Sequence, residues 1–292
     1  MKRALSAAPA AYPSAPQPPT GADVVDVSLV AKARPQQLLP APAKETDVLG
    51  YGPSSVIRIR HGQWLRAHLH NELTEHTTIH WHGIRLPNAM DGVPYLTQDP
   101  VFPGKEFTYA FRPPDTGTFF FHPHCDTVNQ LGEGLAGVLI IEGDETRPFD
   151  ADLVCLYRDW RVKDAGAFGP QMTEKGAGTA GTFGSFQTVN DVHQPVFKVP
   201  ANGDIRARFL NVDMTRIVDL GIENAKGWMI ATDGNALDPT PLDTWRMGPA
   251  MRLDVAFRAP RKAGERVRLM NYYAAEPILL AEFEAEGPPL DR

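Results

Sequence analysis

Two His-x-His pairs stand inside one stretch of this chain, His80-Trp-His82 and His122-Pro-His124. Each closes a short apolar run, Thr77-Thr-Ile79 before the first and Phe119-Phe-Phe121 before the second. In an extended strand, residues i and i+2 share a face, so each pair would present two imidazoles side by side. Two such strands could gather four imidazoles in one place. Neutral imidazole is the commonest transition-metal ligand and suits copper, zinc, iron and nickel. Buried histidines that hydrogen-bond one another would give the same local pattern, so the pairs alone leave both readings open. The wider stretch, His76 to Glu142, also holds Asp91-Gly92 and closes on Gly134-Leu-Ala-Gly-Val-Leu-Ile-Ile-Glu142.

The rest of the chain is punctuated for strands. With 25 Gly and 27 Pro in 292 residues, breakers come too often for long helices. Val24-Val-Asp-Val-Ser-Leu-Val30 and Ser55-Val-Ile-Arg-Ile-Arg60 alternate as half-buried strands do. In Gly62 to Asn71, Leu65, Ala67 and Leu69 fall on one face and Arg66, His68 and His70 on the other. His68-Leu-His70 is therefore a third His-x-His, here on a polar outer face. His61 and His76 fall in loops and read as exposed, with His76 a weaker candidate for supporting a ligand.

Length allows two domains with separate cores. A net charge of -6 without any basic cluster argues against nucleic acid as a partner. No apolar run approaches the roughly 20 residues that span a bilayer. Residues 1–20 are Ala/Pro-rich, without the apolar segment of a secretory signal, and read as a disordered lead-in.

Particular motifs carry a resemblance. Thr78-Ile-His-Trp-His-Gly83, Leu86-Pro-Asn-Ala-Met-Asp-Gly-Val-Pro94, Phe102-Pro-Gly104, Gly117-Thr-Phe119, His122-Pro-His124 and Gly134-Leu-Ala-Gly137 resemble the amino-terminal domain of multicopper oxidases of the laccase-like, bacterial type. The resemblance covers residues 24–145. More loosely, Leu156-Tyr-Arg-Asp-Trp160, Gln187-Thr-Val-Asn190, Arg206-Ala-Arg-Phe-Leu-Asn211, Ile230-Ala-Thr-Asp-Gly234 and Arg252-Leu-Asp-Val-Ala-Phe257 resemble the family's second domain.

The resemblance implies an all-β chain of tandem cupredoxin-like Greek-key β-sandwiches. One would span residues 21–146 and carry the ligands; a second, without ligands, would span 147–287, followed by a tail at 288–292. It also implies copper-dependent oxidation of a phenolic, amine or metal-ion donor, coupled to reduction of dioxygen to water. His80 would serve a type 2 copper, and His82, His122 and His124 type 3 coppers. Asp91 would assist proton delivery, although Asp91-Gly92 also reads as a simple turn. Most bacterial members are exported, so the resemblance points to a periplasmic or secreted protein.

Part of the family pattern is missing. The family's trinuclear cluster uses eight histidines, four of them from a last domain through His-x-x-His-x-His and His-Cys-His motifs. Past His124 this chain has only His193, in the hairpin or loop Asn190-Asp-Val-His-Gln-Pro195, and neither motif. The chain is expected to hold half of a trinuclear site and not to turn over alone. A C-terminal copper domain, on a longer chain or a separate subunit, would complete it. The alternative is a non-catalytic cupredoxin-fold binding or scaffold protein, which would tolerate loss of all four histidines.

Cys125 directly follows His124, but the stretch after it, Asp126-Thr-Val-Asn-Gln-Leu-Gly-Glu-Gly134, holds neither His nor Met to build a type 1 site. It reads as an oxidation-prone thiol beside the metal, Cys155 as a buried strand residue, and a disulfide between them stays open. Gly166 to Gly184 reads as a mobile loop, the scattered methionines, Met214 among them, as core packing, and Arg258 to Arg266 as a solvated turn.

Overall fold

The computed structural model describes residues 12, 14–39, 42–144, 148–163 and 165–291. Most of the lead-in at 1–20, and the boundary placed at 146/147, lie outside these residues. Within the lead-in, the Tyr12 hydroxyl donates to Asp99 Oδ1 at 2.8 Å.

The first half runs β1 (Val24–Gln36), β2 (Thr46–Gly52), β3 (Val56–Arg60), β4 (Trp64–Asn71), β5 (His80–His82), β6 (Glu106–Phe111), β7 (Gly117–His122), helix α1 (Thr127–Gly132) and β8 (Gly137–Glu142). These strands form two four-stranded sheets, in the orders β2-β1-β4-β6 and β3-β8-β7-β5. The chain crosses repeatedly between the sheets, which is why β1 lies parallel to β4 and β3 parallel to β8. The alternation of β4 does what it predicts: Leu65, Ala67 and Leu69 are buried at 0% exposure in the core between the sheets. His68 faces outward and contacts Asp26 and Thr108; His70 lies beside Glu106.

The second half forms a larger sandwich. Its strands are β9 (Ala151–Trp160), β10 (Phe186–Val189), β11 (Val196–Pro200), β12 (Asp204–Asn211), β13 (Val218–Glu223), β14 (Gly227–Thr232), β15 (Asn235–Leu242), β16 (Trp245–Met247), β17 (Arg252–Arg258), β18 (Arg266–Asn271) and β19 (Ile278–Glu286). One sheet has the order β10-β9-β12-β17-β14-β15 and the other β11-β19-β18-β13-β16. Phe209, Phe257, Phe283 and Leu269 fill the space between them. The glycine-rich stretch between β9 and β10 carries a short helix (Glu174–Ala177), capped by the Thr173 hydroxyl, which accepts from Gly176 N. Arg161 ties this stretch down by donating to the Thr182 carbonyl.

The runs Phe119-Phe-Phe121 and Val138-Leu-Ile-Ile141 do not alternate because the sheet carrying them is covered on both faces. Phe119, Phe121, Leu139 and Ile141 point into the first core. Phe120, Val138 and Ile140 point the other way and pack on Leu156, Leu210 and Val212 of the second sandwich. Each such side chain contributes about 1.5–3 kcal/mol of hydrophobic burial. A polar knot sits beside them. The Thr118 hydroxyl donates to Asp254 Oδ1 at 2.8 Å, and Arg208 Nη1 donates to Thr118 Oγ1 at 2.7 Å and to Asp254 Oδ2 at 3.1 Å. The rest of the Arg208 fork grips Asp152 at 2.6 and 2.7 Å. Strand β7, which ends on His122, is thus held by both sandwiches.

Cys125 and Cys155 are both buried free thiols, so no disulfide joins them. Burial raises the pKa of Cys125, which leaves little reactive thiolate at neutral pH and corrects the expectation of an oxidation-prone group.

Candidate metal centre

Strand β5 is three residues long, and its alternation decides everything about it. Trp81 points inward, fully buried, with its ring 5.1 Å from that of Phe111 and 5.0 Å from that of Phe121. His80 and His82 therefore point outward together. Antiparallel pairing sets His80 opposite His122 and His82 opposite Phe120. Because Phe121 faces the core, His122 and Phe120 share the outward face with the β5 histidines. One ring nitrogen from each of His80, His82 and His122 lies within 4.8 Å of the other two.

His124 is placed differently. Pro123 lacks the N–H a ladder needs, β7 ends at His122, and His124 sits in a bend at the surface. Its backbone N–H donates to Thr78 Oγ1 at 3.3 Å, and its ring centroid lies 5.2 Å from that of His80. The i, i+2 argument thus holds for the first pair and not the second. The fourth imidazole borders the other three without converging on the same point.

The tautomers follow from the hydrogen bonds. His80 Nδ1 lies 2.9 Å from the Asp91 carbonyl oxygen and 3.3 Å from Asp91 Oδ1. His122 Nδ1 lies 2.9 Å from the Pro123 carbonyl oxygen. A ring nitrogen facing an oxygen acceptor must carry the proton, which leaves each Nε2 with its lone pair free. His122 Nε2 lies 3.4 Å from His82 Nδ1, so those two nitrogens face one another.

Burial favours the neutral form of His82, His122 and His124. It pulls the pKa of His122 down to about 3, with the neighbouring imidazoles adding to the effect. It pulls His82 down to about 4, assisted by the Arg252 guanidinium. His124 is lowered too, again chiefly by burial. At neutral pH these imidazoles offer lone pairs rather than positive charge, as metal binding requires.

Asp91 caps a short 3₁₀ turn (Asn88–Met90) whose Met90 is buried and whose sulfur accepts from Ala110 N. Gly92 follows with φ +77, and a Cβ there would overlap the carbonyl oxygen of Ile79. Only glycine lets the turn press against the backbone entering β5, which is how Asp91 reaches His80. Asp91-Gly92 is both a turn and a contact to a candidate ligand.

His76 is half-buried rather than exposed, its ring 5.7 Å from that of Phe102. It reaches the site only through its backbone, since Gln130 of α1 donates to the His76 carbonyl and accepts from Thr77 Oγ1. His61 and His193 are exposed and lie outside the cluster.

Arg252 enters the expectations only as part of a second-domain strand motif and not as a residue of the site. It is 4% exposed, with its guanidinium where a Gly83 side chain would stand: a Cβ there would lie 2.5 Å from Nη2. The imidazoles open on a cavity of about 280 Å³ whose far wall includes Val212, Asp213, Met214 and Ala250. Nothing local in Arg252 or Met214 points to the site, because both come from strand ends or turns at least 90 residues beyond His124.

Comparison with known proteins agrees with this geometry. A family model described as multicopper oxidase matches residues 36–146. A multi-copper oxidase from Pseudomonas thermotolerans superimposes with a TM-score of 0.86 at 38% identity, covering 93% of this chain and 66% of that one. Lac15 from a marine microbial metagenome gives a TM-score of 0.79 at 32% identity, covering 92% of this chain and 68% of that one. Copper resistance protein A of Escherichia coli is 28% identical over 82% of this chain, which spans only 47% of that protein. The chain thus spans about half the length of the curated relatives it matches.

Proposed function

Since the chain belongs to the multicopper oxidase family, we propose that it supplies the amino-terminal half of a trinuclear copper site. The observation that carries this reading is the convergence of His80, His82 and His122, one ring nitrogen each within 4.8 Å. Imidazole is a ligand copper favours, and the protonated Nδ1 of His80 and His122 aims Nε2 at the ion. By position in the family's motifs, His80 serves the type 2 copper and His82, His122 and His124 the type 3 coppers.

The reaction is oxidation of a phenolic, amine or metal-ion donor coupled to reduction of dioxygen to water. Bound copper supplies the one-electron steps by which dioxygen takes up four electrons and four protons. Asp91 orients His80 through its carbonyl, and its carboxylate stands beside the same nitrogen as a place to hold a proton. Residues 21–146 are assigned to the cupredoxin-like domain that carries the family's histidine ligands, 147–287 to a second without any of the family's copper ligands, and 288–292 to a tail. A further copper-binding domain, on a longer form of this chain or on a separate subunit, would contribute the remaining ligands. No helix among the described residues is long and apolar enough to cross a membrane. Family resemblance supports a periplasmic or secreted location.

Copper content after equilibrium dialysis against Cu(II) tests the reading. The wild-type chain should retain copper, and His80→Ala and His122→Ala should each lose most of it while keeping the wild-type circular dichroism. Unchanged copper content in both variants would favour the non-catalytic scaffold instead. That alternative gives no reason for imidazoles held neutral with their donor nitrogens aimed together.

A further inference from the structure

The wall of the cavity facing the histidines belongs to the second sandwich, and the turn that forms it is fixed. Asp213 accepts from both Nη atoms of Arg161, at 2.8 and 2.9 Å. It also caps its own turn, accepting from Thr215 N at 2.8 Å and Arg216 N at 2.6 Å. Thr215 is held in turn: its hydroxyl donates to the Thr182 carbonyl and accepts from Thr182 N, both at 3.0 Å. Met214 stands between these two anchored residues.

Its setting separates it from the other methionines of this half. Met229, Met247 and Met270 are buried in or beside the core at 7%, 0% and 3% exposure, Met251 sulfur accepts from Gly248 N, and Met172 is exposed and does not line the histidine cavity. Met214 is half-buried and lines the same cavity as His80, His82, His122 and His124. Asp213, on the same wall, has both carboxylate oxygens occupied by Arg161 and the turn. Met214 is thus the wall's available soft donor.

We propose that Met214 is a thioether ligand that gives this cavity affinity for monovalent copper alongside the imidazoles. The inference rests on reading the histidines as a copper site and adds a residue and an oxidation state to it. Thioether sulfur is a soft donor that selects Cu(I), whereas imidazole alone serves Cu(II) and other divalent ions well. A monovalent ion would meet sulfur on one wall and nitrogen on the other. Loss of the sulfur should therefore weaken monovalent binding and spare divalent binding.

The test uses the full chain, reduced and anaerobic, with Cu(I) in competition against a chromogenic Cu(I) chelator. Met214→Leu keeps the volume and apolar character of the wall. It should weaken Cu(I) and Ag(I) roughly 10-fold or more and leave Cu(II) within twofold of wild type. X-ray absorption of the Cu(I)-loaded wild type should show a sulfur scatterer that persists in Cys125→Ser and vanishes in Met214→Leu. Cu(II) binding with no sulfur around Cu(I), or equal weakening of Cu(I) and Cu(II) by Met214→Leu, would overturn the role of Met214 and leave the histidine site standing. Failure of the wild type to bind either ion would overturn both.

Discussion

Replacing Arg208 with Met should destabilise this protein more than any single surface change, and the knot between the sandwiches says why. Asp254 is 4% exposed; burial pushes its pKa upward, while Arg208 and the Thr118 hydroxyl pull it back. Asp152 would keep Arg58, 3.5 Å away, and Arg206, 3.6 Å away. Asp254 would lose its closest cation, the guanidinium 3.1 Å away. Leaving one member of a buried pair uncompensated costs about 3–5 kcal/mol. At about 2–4 °C per kcal/mol, the melting temperature should fall by roughly 6–20 °C. The sign of the pH dependence is also fixed. Without Arg208, the Asp254 pKa rises further above its unfolded value, so the folded state of the variant binds more protons than the unfolded state. Stability linked to that group is present at low pH and lost as pH rises through the raised value. The gap between variant and wild type should therefore be smaller at pH 5 than at pH 8. Thr118→Val should cost about 1–3 kcal/mol, and the double variant less than the sum, since both act on one network. Urea unfolding followed by tryptophan fluorescence measures all three. A loss below about 1 kcal/mol at both pH values would refute the reasoning, because the Asp254 charge would then be compensated elsewhere.

Other outcomes follow from the site. Metal-free protein should lose stability as pH falls from about 6.5 towards 3, because His82 and His122 stay neutral in the fold but take protons when unfolded. His122 alone accounts for about 2 kcal/mol between pH 7 and pH 5, and His122→Gln should flatten the curve; identical pH profiles would contradict its burial. Gly92→Ala should force the turn off Ile79, withdraw the Asp91 carbonyl from His80 and weaken Cu(II) binding roughly 10- to 100-fold, read by competition dialysis. Cys125 and Cys155 should react with a thiol reagent only at the rate of unfolding, and a fast thiol in native buffer would show that Cys125 is accessible.

The legibility of the chain varied with how local each determinant is. The alternation of β4 and the His-Trp-His of β5 carry their outcome in adjacent residues, so both follow from sequence. The triple phenylalanine of β7 is ambiguous alone, because a second buried face exists only once another sandwich covers it. His124 departs from its pair through one neighbour: Pro123 ends the ladder, a signal present in the sequence that overrides the i, i+2 spacing. The family resemblance points to Asp91 as a neighbour of the histidines, whereas its carbonyl on His80 Nδ1 depends on Gly92 fitting against Ile79. Arg252 and Met214 reach the histidines from at least 90 residues away, and no local pattern encodes that meeting.

Strand β5 is the last member of its sheet, paired on one side only, and so short that three rungs hold it. Edges of this kind are where strand pairing slips. Here a slip of one residue would drive two imidazoles into the aromatic core and push Trp81 into the cavity. Both displacements are costly, the indole losing its burial and the imidazoles their polar surroundings. The His-Trp-His triplet therefore works as an error check on folding: the hydrophobic residue between the two candidate ligands allows only one register. A chain that reaches its native state already has both nitrogens on the correct face before any ion arrives.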